Sequence, residues 1–208
     1  MSTGEGSGTD GSEPMVAGEP MVGFGSKQAW LAIRDADPDL IIAVLGLHDL
    51  GPLSWRAGVD LAYLTDDRVV VTPPLPGADG VPWLLVVGRW LMSGPSTVDV
   101  AELSELLDTE VQYFVTHRMV ELHRWQRARD GELLRAFGYL GESGEVTDWR
   151  GVPDEAERAA GLPAFLDDDT DVLVGEEDVM RVAAAWSLSP VALDGLASPG
   201  PLRAAAAP

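Results

Sequence analysis

The sequence predicts an α+β fold, a largely antiparallel sheet with helices packed on it. Three observations carry this. Val111–His117 alternates strictly, with Val111, Tyr113, Val115 and His117 on one side and Gln112, Phe114 and Thr116 on the other, the period of a strand. Asp130-Gly131 stands between two apolar-bearing runs as a two-residue hairpin turn, because both residues tolerate the positive φ that a type I′ turn demands. Asp37-Pro38 and Ser54 each stand before an apolar helical run, the position of an N-cap.

In chain order, Gln28–Arg34 reads as the opening strand. A helix follows, capped by Asp37, with Pro38 in its first turn and Gly46 as its stop; its continuous apolar run from Leu40 to Leu45 predicts burial on most sides. Ser54 caps a second helix bearing Trp55, Val59 and Tyr63. Residues 69–72 are β-branched and stop at Pro73-Pro74, a short strand. Residues 82–90 form a continuous apolar strand, expected to be buried on both faces. Ser96 is placed at the start of a helix with Val100, Leu103, Leu106 and Leu107 at helical spacing. After the hairpin, Gly141-Glu142-Ser143-Gly144 turns the chain into a strand at 146–149, and helices at 154–160 and 177–186 close the domain. Acids in the first turn of the last helix suit its dipole, and Ser189-Pro190 ends it. His48, just past Gly46, reads as a turn residue. Residues 1–26, rich in Gly, Ser, Thr, Glu and Pro, are expected to be a disordered tail, with the second Glu-Pro-Met-Val copy pinned by Met21-Val22. Residues 27–194 are then a single domain, and 195–208 a flexible Ala/Pro-rich tail.

A formal net charge of −20 in 208 residues disfavours nucleic acid and anionic membrane surfaces, since both would be repelled. No apolar run is long enough to span a bilayer, and the polar N-terminus lacks a signal-peptide pattern, so a cytoplasmic protein is expected. The absence of cysteine excludes disulfides, thiolate metal sites and cysteine nucleophiles.

Against this field, residues 117–135 hold five of the 14 Lys+Arg and two of the three His, opposed only by Glu121, Asp130 and Glu132. With Asp130-Gly131 at the turn, Arg129 faces Glu132, Trp125 faces Ala136, and Arg124 lies over Phe137 as a cation–π pair. A helix over 119–128 is the competing reading, because Met119, Leu122 and Trp125 also recur at helical spacing. The candidate binding residues are His117, His123, Arg124, Trp125, Arg127 and Arg135. Their chemistry suits an anion or an acidic peptide; the bland alternative is arginine stems covering apolar surface with their heads paired to acids elsewhere.

Other constellations fail on spacing. The acidic run 167–171 has Val172 and Asp178 where a calcium loop needs glycine and a bidentate glutamate, and reads as a solvated loop. No phosphate loop or nucleophile elbow is present, and His117, Glu121 and His123 lack a fixed metal-ligand spacing. No cofactor, metal or catalytic residue is therefore assigned.

The segments AWLAIRDADPDLIIAVLGL, VVVTPPL with PWLLVVGRWL, EVQYFVTHRMVELHRWQRARDGELLRAFGYLGESGEV and VMRVAAAWSLSP resemble an uncharacterised family of bacterial proteins. The likeness covers residues 28–190 and implies one compact domain, with no activity to carry over. The leading expectation is a non-enzymatic protein that works by contact with a protein partner, favouring a basic one, as an immunity or accessory factor. Two alternatives stand beside it: a small-molecule or anion-binding enzyme with a His/Arg site, and a structural subunit of a larger assembly.

Overall fold

Gln28–Arg34 is apolar on both sides, with Leu31 and Ile33 pointing one way and Trp30 and Ala32 the other. Such a strand must lie inside a sheet that is covered on both faces. The computed structural model describes residues 18–92, 98–167 and 171–208, and it puts this strand at the centre of one antiparallel sheet. The strands are β1 (Gln28–Arg34), β2 (His48–Leu53), β3 (Arg68–Val71), β4 (Leu75–Pro76), β5 (Pro82–Val87), β6 (Val111–His117), β7 (Leu122–Arg129), β8 (Glu132–Leu140), β9 (Glu145–Arg150) and β10 (Leu202–Ala206). The helices are α1 (Pro38–Val44), α2 (Trp55–Leu64), α3 (Val100–Leu106), α4 (Glu155–Ala159) and α5 (Glu176–Trp186). Spatial order is β2-β10-β3-β5-β1-β6-β7-β8-β9, with the short β4 also paired to β5. The α+β expectation holds at this level, with the sheet dominating.

Two cores result. One face of the sheet presents Trp30, Trp83, Phe114, Trp125 and Phe137 to α2, α4 and α5. The other presents Leu31, Ile33, Val86, Tyr113 and Val115 to α1, α3 and a 3₁₀ turn at Arg89–Met92. Asp37, Ser54, Asp99 and Asp154 cap helices, each accepting from a backbone N–H two or three residues on. Ser96, the expected start of α3, lies outside the described residues; the helix is capped by Asp99. Helix α1 buries only Ile41 and Ile42, while Leu40 is 47% exposed, so its apolar run is covered on one side rather than most. Of the apolar segment 82–90, residues 83–88 are buried as expected, but Pro82 and Arg89 are exposed and the strand stops at Val87. At Gly88 an added Cβ would come within 2.5 Å of the Arg68 carbonyl oxygen, so only glycine lets the chain pass there and coil into the 3₁₀ turn.

Both expected tails need correction in their described parts. Residues 195–208 are not a flexible end: β10 sits between β2 and β3, with Leu202 and Ala205 buried. The strand is hidden in the sequence because alanine has little strand propensity, although Ala204 and Ala205 are buried in the sheet. His48 is not in a turn but begins β2, a strand that pairs, among the described residues, with β10 alone. At the other end, residues 1–17 lie outside the described residues, whereas residues 18–26 are built into the fold. Met21 and Phe24 are buried, and Met21 N donates to the Leu196 carbonyl (2.8 Å) while Ser198 N donates to that of Glu19 (2.9 Å). Residues 18–21 and 195–198 thus pin each other, and Trp55 Nε1 donates to Gly200 O (2.9 Å) beneath them.

The hairpin reading over 122–140 holds, and the helical alternative for 119–128 does not. Asp130 and Gly131 both have positive φ (52° and 76°), the I′ geometry. Arg129 pairs opposite Glu132 as expected, but Leu134 is an extra, unpaired residue of β8 between the Ala128–Leu133 and Arg127–Arg135 pairs, a bulge that shifts the register by one. Trp125 therefore meets Phe137 rather than Ala136, with ring centroids 4.4 Å apart, and Arg124 faces Gly138 instead of Phe137. The expected Arg124–Phe137 cation–π pair does not form.

Leu202 tests the standing of the C-terminal strand. Its side chain lies against Gly58 of α2, where an added Cβ would come within 2.6 Å of Leu202 Cδ1. Leu202→Ala is expected to cost about 2–5 kcal/mol, as for a buried core leucine, read by urea denaturation. A change near zero would return the segment to a tail.

Candidate functional site

Strand alternation divides the six candidate residues between the two faces. His123, Trp125, Arg127 and Arg135 point toward α4 and α5, while Arg124 and His117 point to the opposite side. His117 lies across from Leu122 and His123 from Thr116, so the two imidazoles are on opposite faces. A single site built from His117, His123, Arg124 and Arg135 is thereby excluded. The physical reason is the two-residue period of a strand, which separates side chains an odd number of positions apart.

On the first face the cations are consumed by two buried carboxylates. Glu157 of α4 is fully buried; its Oε1 accepts from Trp125 Nε1 (2.6 Å) and Arg135 Nε (2.8 Å), and its Oε2 from Asp154 N (3.0 Å). Arg135 also donates to the carbonyls of Ala136 and Arg150 (both 2.7 Å), and its guanidinium lies 4.6 Å over the Trp149 ring. Glu110, 3% exposed, takes Arg127 through two hydrogen bonds (2.6 and 3.1 Å), Gln112 Nε2 at 2.7 Å, and Arg129. Burial works to raise the Glu110 pKa, but the arginine and glutamine donors outweigh it and hold the carboxyl below its usual value. Arg127 lies 5.5 Å over Trp186, whose Nε1 donates to Asp154 (2.7 Å), and so the two carboxylate centres are joined. Arg127 and Arg135 stand directly opposite each other on β7 and β8, a like-charge pair that would repel. Each survives there because it has its own carboxylate.

Trp125 is fully buried, as is the head of Arg135, so neither is open to a ligand. Arg129 pairs with Glu110 rather than with Glu132 across the turn. Glu110, Asp154 and Glu157 were not among the residues singled out by sequence. Glu157 had a legible signal, because Asp154 and Glu157 have capping-box spacing and the structure shows both reciprocal bonds. Glu110 had none, since its partners are 17 and 19 residues away.

Two cavities flank the strip. On the second face Arg124, Gln126 and Tyr113 line a pocket of about 160 Å³ beneath α3. Burial pushes the Tyr113 hydroxyl up to about 12, and it donates to Leu91 O (2.6 Å). On the first face His123, Tyr139, Arg118, Glu121 and the start of α5 enclose a cleft of about 480 Å³. His123 is 4% exposed and its Nδ1 is buried without a hydrogen-bond partner. Burial pulls its pKa below the usual 6.5, against the opposing pull of Glu176, Glu121 and Asp178. Among the described residues no three His, Asp or Glu side chains gather as metal ligands. The acidic run 167–171 falls partly on residues 168–170, outside the described ones. Comparison with protein-family models, with curated proteins and with solved structures gave no match.

Glu157→Ala leaves Arg135 charged and buried with no counter-ion, and is expected to cost about 3–5 kcal/mol. Trp125→Phe removes one donor and should cost about 1–3 kcal/mol. Urea denaturation reads both, and equal, small losses would show that the carboxylate is not the fastener. A separate pH signature belongs to His123. Its folded-state pKa is below 6.5, so the unfolded chain takes up the proton first, and stability is lost as pH falls below 6.5 toward the folded value. Melting temperature measured across this window should fall in the wild type, and His123→Gln should flatten that part of the curve.

Proposed function

We propose that this chain is a protein-interaction module that recognises a basic partner through its acidic surface. The observation that carries this reading is the internal use of arginine. Among the described residues, eight of its 13 arginines, at positions 34, 68, 89, 127, 129, 135, 181 and 203, form ion pairs with carboxylates of the same chain. Within the basic strip at 117–135, Glu110 and Glu157 take up three of the five arginines, Arg127, Arg129 and Arg135, which reduces the positive charge left for an acidic partner. What faces outward is the surplus of acid, a field that steers cationic surfaces and repels polyanions. No helix among the described residues is long and apolar enough to cross a membrane. An immunity or accessory role, and membership of an uncharacterised bacterial family, fit this picture as parts of the same proposal.

The anion-binding enzyme reading loses its shared site once His117 and His123 lie on opposite faces. The basic-partner reading is tested by capture from native lysate on the immobilised full chain, at about 0.05 M and about 0.3 M salt. The Debye length shrinks by more than half over that interval. Specific retention of basic proteins at low salt, lost at the higher, is the expected result. A captured set no more basic than the lysate, or retention indifferent to salt, sinks the reading.

A further inference from the structure

We propose that the cleft at His123 is a receptor for one basic side chain, lysine or arginine, presented by the partner. This rests on the basic-partner reading and adds its place and chemistry. The cleft is walled by the β6–β7 turn, by Tyr139 of β8, and by the segment that leads into α5. Three carboxylates line it, and they are not equivalent. Asp178 is committed, since it accepts from Gly175 N (2.9 Å) and pairs with Arg181 (2.5 Å). Glu176 accepts from the Ser26 hydroxyl through Oε1 (2.6 Å), which leaves Oε2 without a hydrogen-bond donor among the described residues. Glu121 has no ion-pair partner among the described residues. Its carboxylate lies back over Gly141, where an added Cβ would meet Oε2 at 2.4 Å. Glycine at 141 is therefore what lets Glu121 lie along the cleft wall.

The independent sign of a missing ligand is His123. A polar ring buried this deeply normally finds a partner, because leaving it unpaired costs free energy. Burial keeps the ring neutral, and a neutral imidazole has one nitrogen able to accept. An N–H donor that also carries positive charge would serve that acceptor nitrogen and the carboxylates of Glu121 and Glu176 together. Ammonium and guanidinium groups are such donors. Leu173, 85% exposed, and Val174 give the apolar stem of a lysine or arginine something to lie against. Arg118 at the same cleft offsets one carboxylate and leaves the lining acidic. An acidic side chain would be repelled by Glu121 and Glu176, and a purely apolar one would leave His123 unpaired.

The test uses the isotope-labelled full chain titrated with the peptide acetyl-Gly-Lys-Gly-amide, followed by NMR, alongside the same peptide with its lysine ε-acetylated. Expected are shifts concentrated on the His123 imidazole, Tyr139 and Glu176, and no such shifts with the acetylated probe. Joint Glu121→Gln and Glu176→Gln replacement should weaken binding by about tenfold, the scale of a lost charge contact. Gly141→Ala, which keeps every charge but displaces Glu121, should weaken it in the same direction. Glu102→Gln, on the exposed face of α3, should leave it unchanged. If Glu102→Gln weakens binding as much as the cleft variants, the diffuse field is responsible; the cleft is then ruled out while the basic-partner reading stands. Shifts elsewhere, no shifts at all, or equal binding of the acetylated peptide overturn the cleft assignment, and salt-dependent capture still decides the wider reading.

Discussion

The carboxylate of Glu157 is the constraint on which this half of the molecule depends. It is fully buried between the sheet and α4, where a bare charge is prohibitively expensive unless every lone pair in use finds a donor. Trp125 and Arg135 come from two paired strands, and the third donor, the backbone N–H of Asp154, comes from the start of the helix itself. One acidic group therefore fixes the position of α4, the rotamer of a core tryptophan and the head of a buried arginine. Asp154 extends the tie to Trp186 and hence to α5.

The same logic explains how a basic strip can lie within an acidic protein. Strand pairing brings Arg127 and Arg135 face to face, an arrangement that would repel without counter-ions. Glu110 takes Arg127 and Arg129, Glu157 takes Arg135, and Trp186 and Trp149 cover the guanidinium faces of Arg127 and Arg135. Ion pairs of this kind add less to net stability than their number suggests, because desolvation offsets the attraction. Their consequence is geometric and electrostatic. They fix which helix lies on which strand, and they remove from the surface the positive charge that composition would place there.

Much of the fold was legible in local pattern. The limits of β1 and β6, the Asp130-Gly131 turn and the caps at Asp37 and Ser54 follow from rules that act over two to five residues. Local pattern misled where packing at a distance decided the outcome. β10 looks like a tail because alanine has little strand propensity, yet Ala204 and Ala205 are buried between β2 and β3. The bulge at Leu134 of β8 moved every later pair by one position, and Trp125 stacked on Phe137 as a result. The candidate residues were chosen by charge along the chain, whereas strand alternation sent them to two faces.

The sequence by itself determined the class of fold, many of its elements though not β2 or β10, the acidic field and the grouping of cations at 117–135, since these depend on composition and on neighbours along the chain. Only the tertiary structure decided that three of the five arginines in the grouping enter an internal ion-pair network, that residues 18–21 meet residues 195–198, and that His123 lines a cleft. Those facts depend on acids and donors that are distant in sequence, and only the closure of the sheet brings them within reach of each other.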